Sequence, residues 1–244
     1  MKNKKKIILT IIQLVFLGLF LFSAFKIYNW YRENQNTKKM IKEVSKAVKV
    51  VDTDKGDSYS IDFKYLKEMN SDTVGWIKVP NTDIEFPVVK TDDNDYYLTH
   101  SFDKSYNSAG WIFADYRNRI DGTDKNLIIY GHNRRDGSMF ESLKNTINED
   151  WYGNINNKYI IFETEGKSFK YEVFSTYRIE EEDYYLTTDF SSTKEYEDFI
   201  KELKSRSVND YKVEINKDDS ILTLSTCDNN KNYRIVLHAK KMSE

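Results

Sequence analysis

The sequence predicts a mainly β domain preceded by helices, with one further helix inserted late in the chain. Three observations carry this. From about Ile61 onward, short runs of β-branched and aromatic residues alternate with polar ones between turn-forming residues. Aromatic residues make up 15% of the 244-residue chain, with 18 Tyr and 14 Phe, which suits pleated, half-buried surfaces rather than a disordered chain. Helical periodicity is confined to the N-terminal part and to a stretch after Ser192. Many short strands with few helices fit a sandwich or a closed barrel, and periodicity does not choose between them. The formal net charge of -2 gives no reason to expect a nucleic-acid partner.

The chain opens Met1-Lys2-Asn3-Lys4-Lys5-Lys6 and then runs apolar from Ile7 to Phe25, with Thr10, Gln13 and Ser23 as polar interruptions. As a helix these residues span roughly 28 Å, enough to cross the hydrocarbon core of a bilayer. Ser23-Ala24-Phe25 is a poor cleavage site, which favours an uncleaved signal anchor over a removed signal peptide. The lysines place residues 1–6 in the cytoplasm and everything beyond the anchor (7–25) outside a cell membrane that the chain crosses once. Residues 26–60 read as a juxtamembrane helix and linker. Met40, Ile41, Val44, Ala47, Val48 and Val51 recur at helical spacing, and Asp52 to Ser60 reads as a loop. Residues 61–244 form the outer domain.

Within that domain Ile84, Phe86 and Val88 alternate with Glu85 and Pro87, as in a half-buried strand. Leu127-Ile128-Ile129-Tyr130 is a continuous apolar run, as in a strand covered on both faces. Tyr159–Phe162 and Phe169–Tyr177 flank Glu165-Gly166 and predict a hairpin. Ser192 with Glu195 predicts a capping box opening a helix whose stripe is Tyr196, Phe199, Ile200 and Leu203. Ile221–Thr226 and Tyr233–Ala239 are the closing strands.

The single cysteine, Cys227, rules out an intrachain disulfide, and an unpaired thiol in an exported protein needs a reason to be there. Leu222 and Leu224 share one face of its strand, so Thr223, Ser225 and Cys227 share the other, more polar face. A structural cysteine would sit more naturally on the leucine side. On the next strand Ile235, Leu237 and Ala239 form the apolar face and Arg234 projects oppositely, where it can lie beside Cys227, lower the thiol pKa and donate to an oxyanion. A thiol attacking an amide also needs a proton carrier. His132 follows a buried strand at Tyr130-Gly131 and so arrives at a rim. His238 lies deeper than Arg234 along its strand, and His100 sits in a polar loop as a solvated or locally bonded residue. One Cys and three scattered His offer no metal-ligand spacing, and no cofactor is expected.

Thr223-Leu224-Ser225-Thr226-Cys227 followed by Arg234 resembles the TLxTC…R signature of sortases, and Tyr130-Gly131-His132-Asn133 is similar to their catalytic-histidine segment. Gly75–Thr82, Phe86–Val89 and Phe113–Asn118, together with a helix-bearing insertion at about 180–207, resemble the class B subgroup. The resemblance covers essentially everything after the linker. Two positions depart from it: the loop between Cys227 and Arg234 is short for class B, and Ala239 stands where relatives often carry Gly.

The resemblance implies a closed eight-stranded sortase-type barrel with N-terminal helices and a Cys-His-Arg site at one rim: Cys227 as nucleophile, His132 as acid/base, Arg234 as oxyanion stabiliser. By the same analogy Ser225, Thr226 and Tyr185 bind the substrate. The implied partners are secreted proteins with a C-terminal sorting motif of the Asn-Pro-x-Thr kind and an amine of peptidoglycan or its lipid-linked precursor. A plain cysteine protease and a non-catalytic surface-binding module are the rival readings. An L,D-transpeptidase would carry His-Gly just before its cysteine, where this chain has Leu224-Ser225-Thr226.

Overall fold

The computed structural model describes residues 2–53, 56–228 and 232–243, with side chains left aside at 2, 50–59 and 227–228. Helix α1 runs without interruption over Lys2–Val44. Among the described residues it is the one helix long and apolar enough to cross a membrane. A 3-10 turn follows, then strands β1 (Val48–Thr53) and β2 (Gly56–Ile61), paired in an antiparallel hairpin. The helical reading of Val48 and Val51 and the loop expected at Asp52–Ser60 are therefore both corrected to β-structure. The polar sequence of that loop lacks the apolar alternation that signals a strand, and cross-strand pairing supplies what periodicity does not. Residues 54–55 of that stretch lie outside the described residues.

The chain continues through α2 (Phe63–Met69), β3 (Thr73–Lys78), β4 (Glu85–Val89), β5 (Phe113–Ala114) and β6 (Asn126–Asn133). Then come α3 (Glu149–Tyr152), β7 (Tyr159–Thr164), β8 (Lys167–Glu180), α4 (Thr193–Ser205), β9 (Ile221–Asp228) and β10 (Tyr233–Lys241). Strands β3 to β10 close into an eight-stranded barrel in the order β10-β8-β7-β3-β4-β5-β6-β9, which decides the choice between sandwich and barrel. Closure removes the free edges that an open sheet would expose.

Two packed regions hold it together. Inside the barrel, Ile77, Val88, Ile129, Leu222, Leu224 and Leu237 belong to one apolar cluster, which Trp76 joins from the outer face of β3. Outside it, Tyr196, Phe199, Ile200 and Leu203 of α4 bury themselves against Phe174, Tyr177 and Val236, as the helical stripe predicts. The cap differs in detail. Glu195 N donates to Ser192 Oγ, but the Glu195 carboxylate accepts from Ser191, one residue earlier than a reciprocal box requires.

The second cluster explains two further differences. The face of β9 carrying Thr223 and Ser225 is not open to solvent, because the insertion covers it, and both residues are buried. Likewise β8 alternates cleanly only in its first half; from Val173 to Tyr177 every residue is buried. Pro87 is also buried rather than facing out, its carbonyl accepting from Trp111 Nε1 at 3.0 Å. The β4–β5 ladder consists of the single pair Val89↔Phe113, so Pro87 lacks an N–H where no ladder bond is needed.

Candidate active site

Strands β6 and β9 run parallel and in register from Asn126↔Ile221 to Asn133↔Asp228, which sets His132 directly opposite Cys227. The expected convergence of these two positions, far apart in sequence, thus rests on a continuous backbone ladder. The side chain of Cys227 and loop 229–231 lie outside the described residues. On the other side, β10 pairs antiparallel with β9 from Lys240↔Ile221 to Val236↔Ser225. The ladder stops there, and the same register carried two residues further would bring Arg234 level with Cys227. There Thr226 Oγ1 accepts from Ile235 N at 2.9 Å in place of a ladder bond.

His132 is held at its ring by Nε2–H donating to the carbonyl of Leu98 at 2.8 Å. A carbonyl oxygen only accepts, so Nε2 carries a proton in this arrangement. The preceding Gly131 is dictated by packing: a Cβ there would lie 2.6 Å from both Ile112 Cδ1 and Phe140 Cγ. Two residues earlier, Tyr130 donates its hydroxyl to Asp115 at 2.8 Å. Asp115 is buried, and it also takes two bonds from the Arg117 guanidinium at 2.8 and 2.7 Å. Burial pushes its pKa up, but the donors outweigh burial and hold the carboxylate below its ordinary range.

Arg234 is mostly shielded and donates to the exposed carboxylate of Glu181. Sequence reasoning passed over Glu181 because it stands in the run Glu180-Glu181-Glu182-Asp183, which reads as a solvated face. It also passed over the Leu98 carbonyl, since a backbone acceptor leaves no mark on the residue type.

The other predicted positions divide. Tyr185, Ser225 and Thr226 are 1%, 2% and 0% exposed, and the Tyr185 hydroxyl bonds to Ser225 Oγ at 3.0 Å. Tyr185 and Ser225 lie beneath the rim in the seam between barrel and insertion, and Thr226 lies on the leucine face of β9 against the β10 backbone, so none of the three lies along an open groove. An open groove does run beside them, lined by Asn94, Tyr130, Asp183, Leu186, Thr187 and Asp189.

His100 is locally bonded, its Nδ1 2.7 Å from the Tyr96 carbonyl and its ring stacked on Tyr96. His238 is fully buried, with Nε2 2.8 Å from the Tyr177 hydroxyl and Nδ1 2.9 Å from Thr223 Oγ1. Thr223 already gives its proton to Asn126 Oδ1 at 2.6 Å, and Asn126 Nδ2 donates to the carbonyls of Tyr185 and Thr187. Thr223 must therefore accept from His238 Nδ1–H, and Nε2 accepts from Tyr177. Burial, with Arg206 nearby, pushes the imidazole down to about 3, so it is neutral. His238 ties the insertion to the barrel and lies away from the rim.

Comparison with known proteins agrees with this arrangement. Residues 77–242 match the Sortase domain family. Sortase B of Listeria monocytogenes is 36% identical over 237 residues, covering 95% of each chain. Sortase B of Staphylococcus aureus is 31% identical over 242 residues, covering 97% of this chain and 98% of that one. The X-ray structure of Clostridium perfringens sortase B superposes with a TM-score of 0.68 at 40% identity, covering 74% of this chain and all of that one. A closed barrel of this topology, a histidine and a cysteine paired across its parallel strands and relatives of this one kind along nearly the whole chain lead to one assignment: the chain belongs to the sortase family, as a cysteine transpeptidase of the sortase B type.

Proposed function

We propose that the chain cleaves a C-terminal sorting motif of the Asn-Pro-x-Thr kind in secreted proteins and transfers them to an amine of peptidoglycan or its lipid-linked precursor. The observation that carries the reading is the pairing of His132 with Cys227 across β6 and β9. In the first half-reaction the Cys227 thiolate attacks the carbonyl carbon of the scissile amide. Arg234 stabilises the oxyanion as the C–S bond forms. The C–N bond then breaks and His132 gives its proton to the departing amine. In the second half-reaction the acceptor amine attacks the thioester, loses a proton to His132 and expels the thiolate. With Nε2 engaged by Leu98, the proton moves through Nδ1.

One amide replaces another, so the exchange is nearly isoenergetic and needs no nucleotide. The groove beside Tyr130 suits an extended peptide entering from the insertion side. Tyr185, Ser225 and Thr226 do not line that groove and would act on the substrate by supporting its walls from beneath. In this reading residues 7–25 anchor the protein, residues 1–6 are cytoplasmic, and the barrel from residue 61 onward works outside the membrane.

The test uses the full-length protein in detergent micelles with a peptide carrying the motif, with and without a small peptide amine, followed by mass spectrometry. The expected products are a thioester adduct on Cys227 and an amine-capped peptide. Transpeptidation by Cys227→Ala would refute the assignment. Hydrolysed product alone, whatever the amine concentration, would make the enzyme a protease instead.

A further inference from the structure

The extracytoplasmic end of α1 does not merely lead into the domain. Glu33, Asn34 and Thr37 stand about two to three turns beyond Phe25, and Asn34 and Thr37 are buried at 6% and 1% exposure. What they touch is the two segments that hold His132. Asn34 Oδ1 accepts from Arg134, two residues after His132, at 2.7 Å. Thr37 Oγ1 and the Glu33 carbonyl accept from Asn107 Nδ2 at 3.0 and 3.3 Å, and the Glu33 carboxylate accepts from Ser108 Oγ at 2.5 Å.

Asn107 is the hub of the loop that seats the imidazole. Its N–H donates to the Thr99 carbonyl, and its own carbonyl accepts from Gly110 N, each at 2.9 Å. Its side-chain Oδ1 accepts from Ala109 N at 2.9 Å. Leu98, next to Thr99, supplies the carbonyl that receives His132 Nε2–H. Gly110 lies against the same edge of the ring, and a Cβ there would come within 2.9 Å of both His132 Cδ2 and the Leu98 carbonyl oxygen. So the Nε2–Cδ2 edge of the imidazole rests against a carbonyl and a glycine of one loop, and Asn107 fixes that loop to α1.

We infer that Glu33, Asn34 and Thr37 are positioning residues for His132, so that the membrane-proximal helix is part of the catalytic apparatus as well as a tether. The inference rests on His132 being the proton carrier. A buried asparagine amide held at both ends resists small displacements, and misplacing an acid/base group by a fraction of an ångström weakens the chemical step rather than binding.

The experiment takes the full-length protein in detergent micelles and measures kcat, KM and the pH profile of transpeptidation. The variants are Thr37→Val and Asn34→Leu, each nearly volume-conserving, with Thr37→Ser as the conservative rescue. Tyr65→Phe serves as the structural control. It removes the 2.7 Å bond from Tyr65 to Glu43 at the far end of the same helix, away from His132. The expected result is a fall in kcat of about tenfold in Thr37→Val and Asn34→Leu. KM should stay within about twofold and the pH limb assigned to His132 should move. Thr37→Ser should restore both, and Tyr65→Phe should lower the melting temperature while leaving kcat and the profile in place. Unchanged kcat and pH profile in both helix variants would overturn the inference, as would Tyr65→Phe losing kcat in proportion to its stability. His132→Ala separates the two levels: full activity there refutes the proton-carrier reading itself.

Discussion

Burying a neutral histidine leaves a signature in the pH dependence of stability. His238 is fully buried between Tyr177 and Thr223, and its imidazole is pushed down to about 3. In the unfolded chain the same ring titrates near 6.5. Above about pH 6.5 both states are neutral and folding carries no protonation penalty. As the pH falls below that value the unfolded chain takes up a proton that the folded barrel refuses, and stability declines until about pH 3. Between pH 7 and pH 4.5 the loss from this one ring is about 2.5 kcal/mol, a large share of the stability of an ordinary domain. Urea unfolding followed by the fluorescence of the buried Trp76 and Trp111 measures it directly. His238→Gln keeps hydrogen-bonding capacity and cannot titrate. It is expected to be less stable than the parent at pH 7 and to lose about 2.5 kcal/mol less on going to pH 4.5. The other histidines and the carboxylates cancel in this difference. Parallel pH dependence in the two proteins would refute the picture of a neutral, inaccessible ring.

Two further outcomes follow from the rim. Gly131→Ala places a methyl 2.6 Å from Ile112 and Phe140; overpacking of this kind costs about 1–3 kcal/mol, and because His132 is the next residue, single-turnover acylation should fall further than the melting temperature alone accounts for. Glu181→Gln removes the half-exposed partner of Arg234, so acylation should change by less than about fivefold, whereas Arg234→Ala should cost about a hundredfold or more; equal losses in the two would mean that the ion pair, not the guanidinium, is what catalysis needs.

What the sequence made legible follows from how local each signal is. The strand carrying Leu127–Tyr130, the hairpin about Gly166 and the stripe on α4 are read from periodicities of two or 3.6 residues, and each stands in the fold. Cys227, His132 and Arg234 could be singled out because strand alternation places each relative to an apolar neighbour. The covering of β9 by the insertion is a long-range event. Nothing in Thr223 or Ser225 announces that Tyr185 and Asn126 will close over them. The β1–β2 hairpin escapes notice because Val48 and Val51 also fit a helical spacing and the polar residues after them pair through backbone groups that every residue type shares.

The unbroken course of α1 has a mechanical meaning. With residues 7–25 in the bilayer, as proposed, Asn34 stands nine residues past Phe25, about 14 Å along a rigid rod. Tyr28, Trp30 and Tyr31 are exposed on that interval, where amphipathic rings favour the headgroup layer. A rod without a hinge acts as a gauge: it sets the height of the reaction above the lipid and the compass direction in which the cleft opens. Adding one residue between Tyr31 and Glu33 would raise the barrel by only about 1.5 Å but swing it through about 100°, turning the cleft away from whatever arrives along the membrane plane.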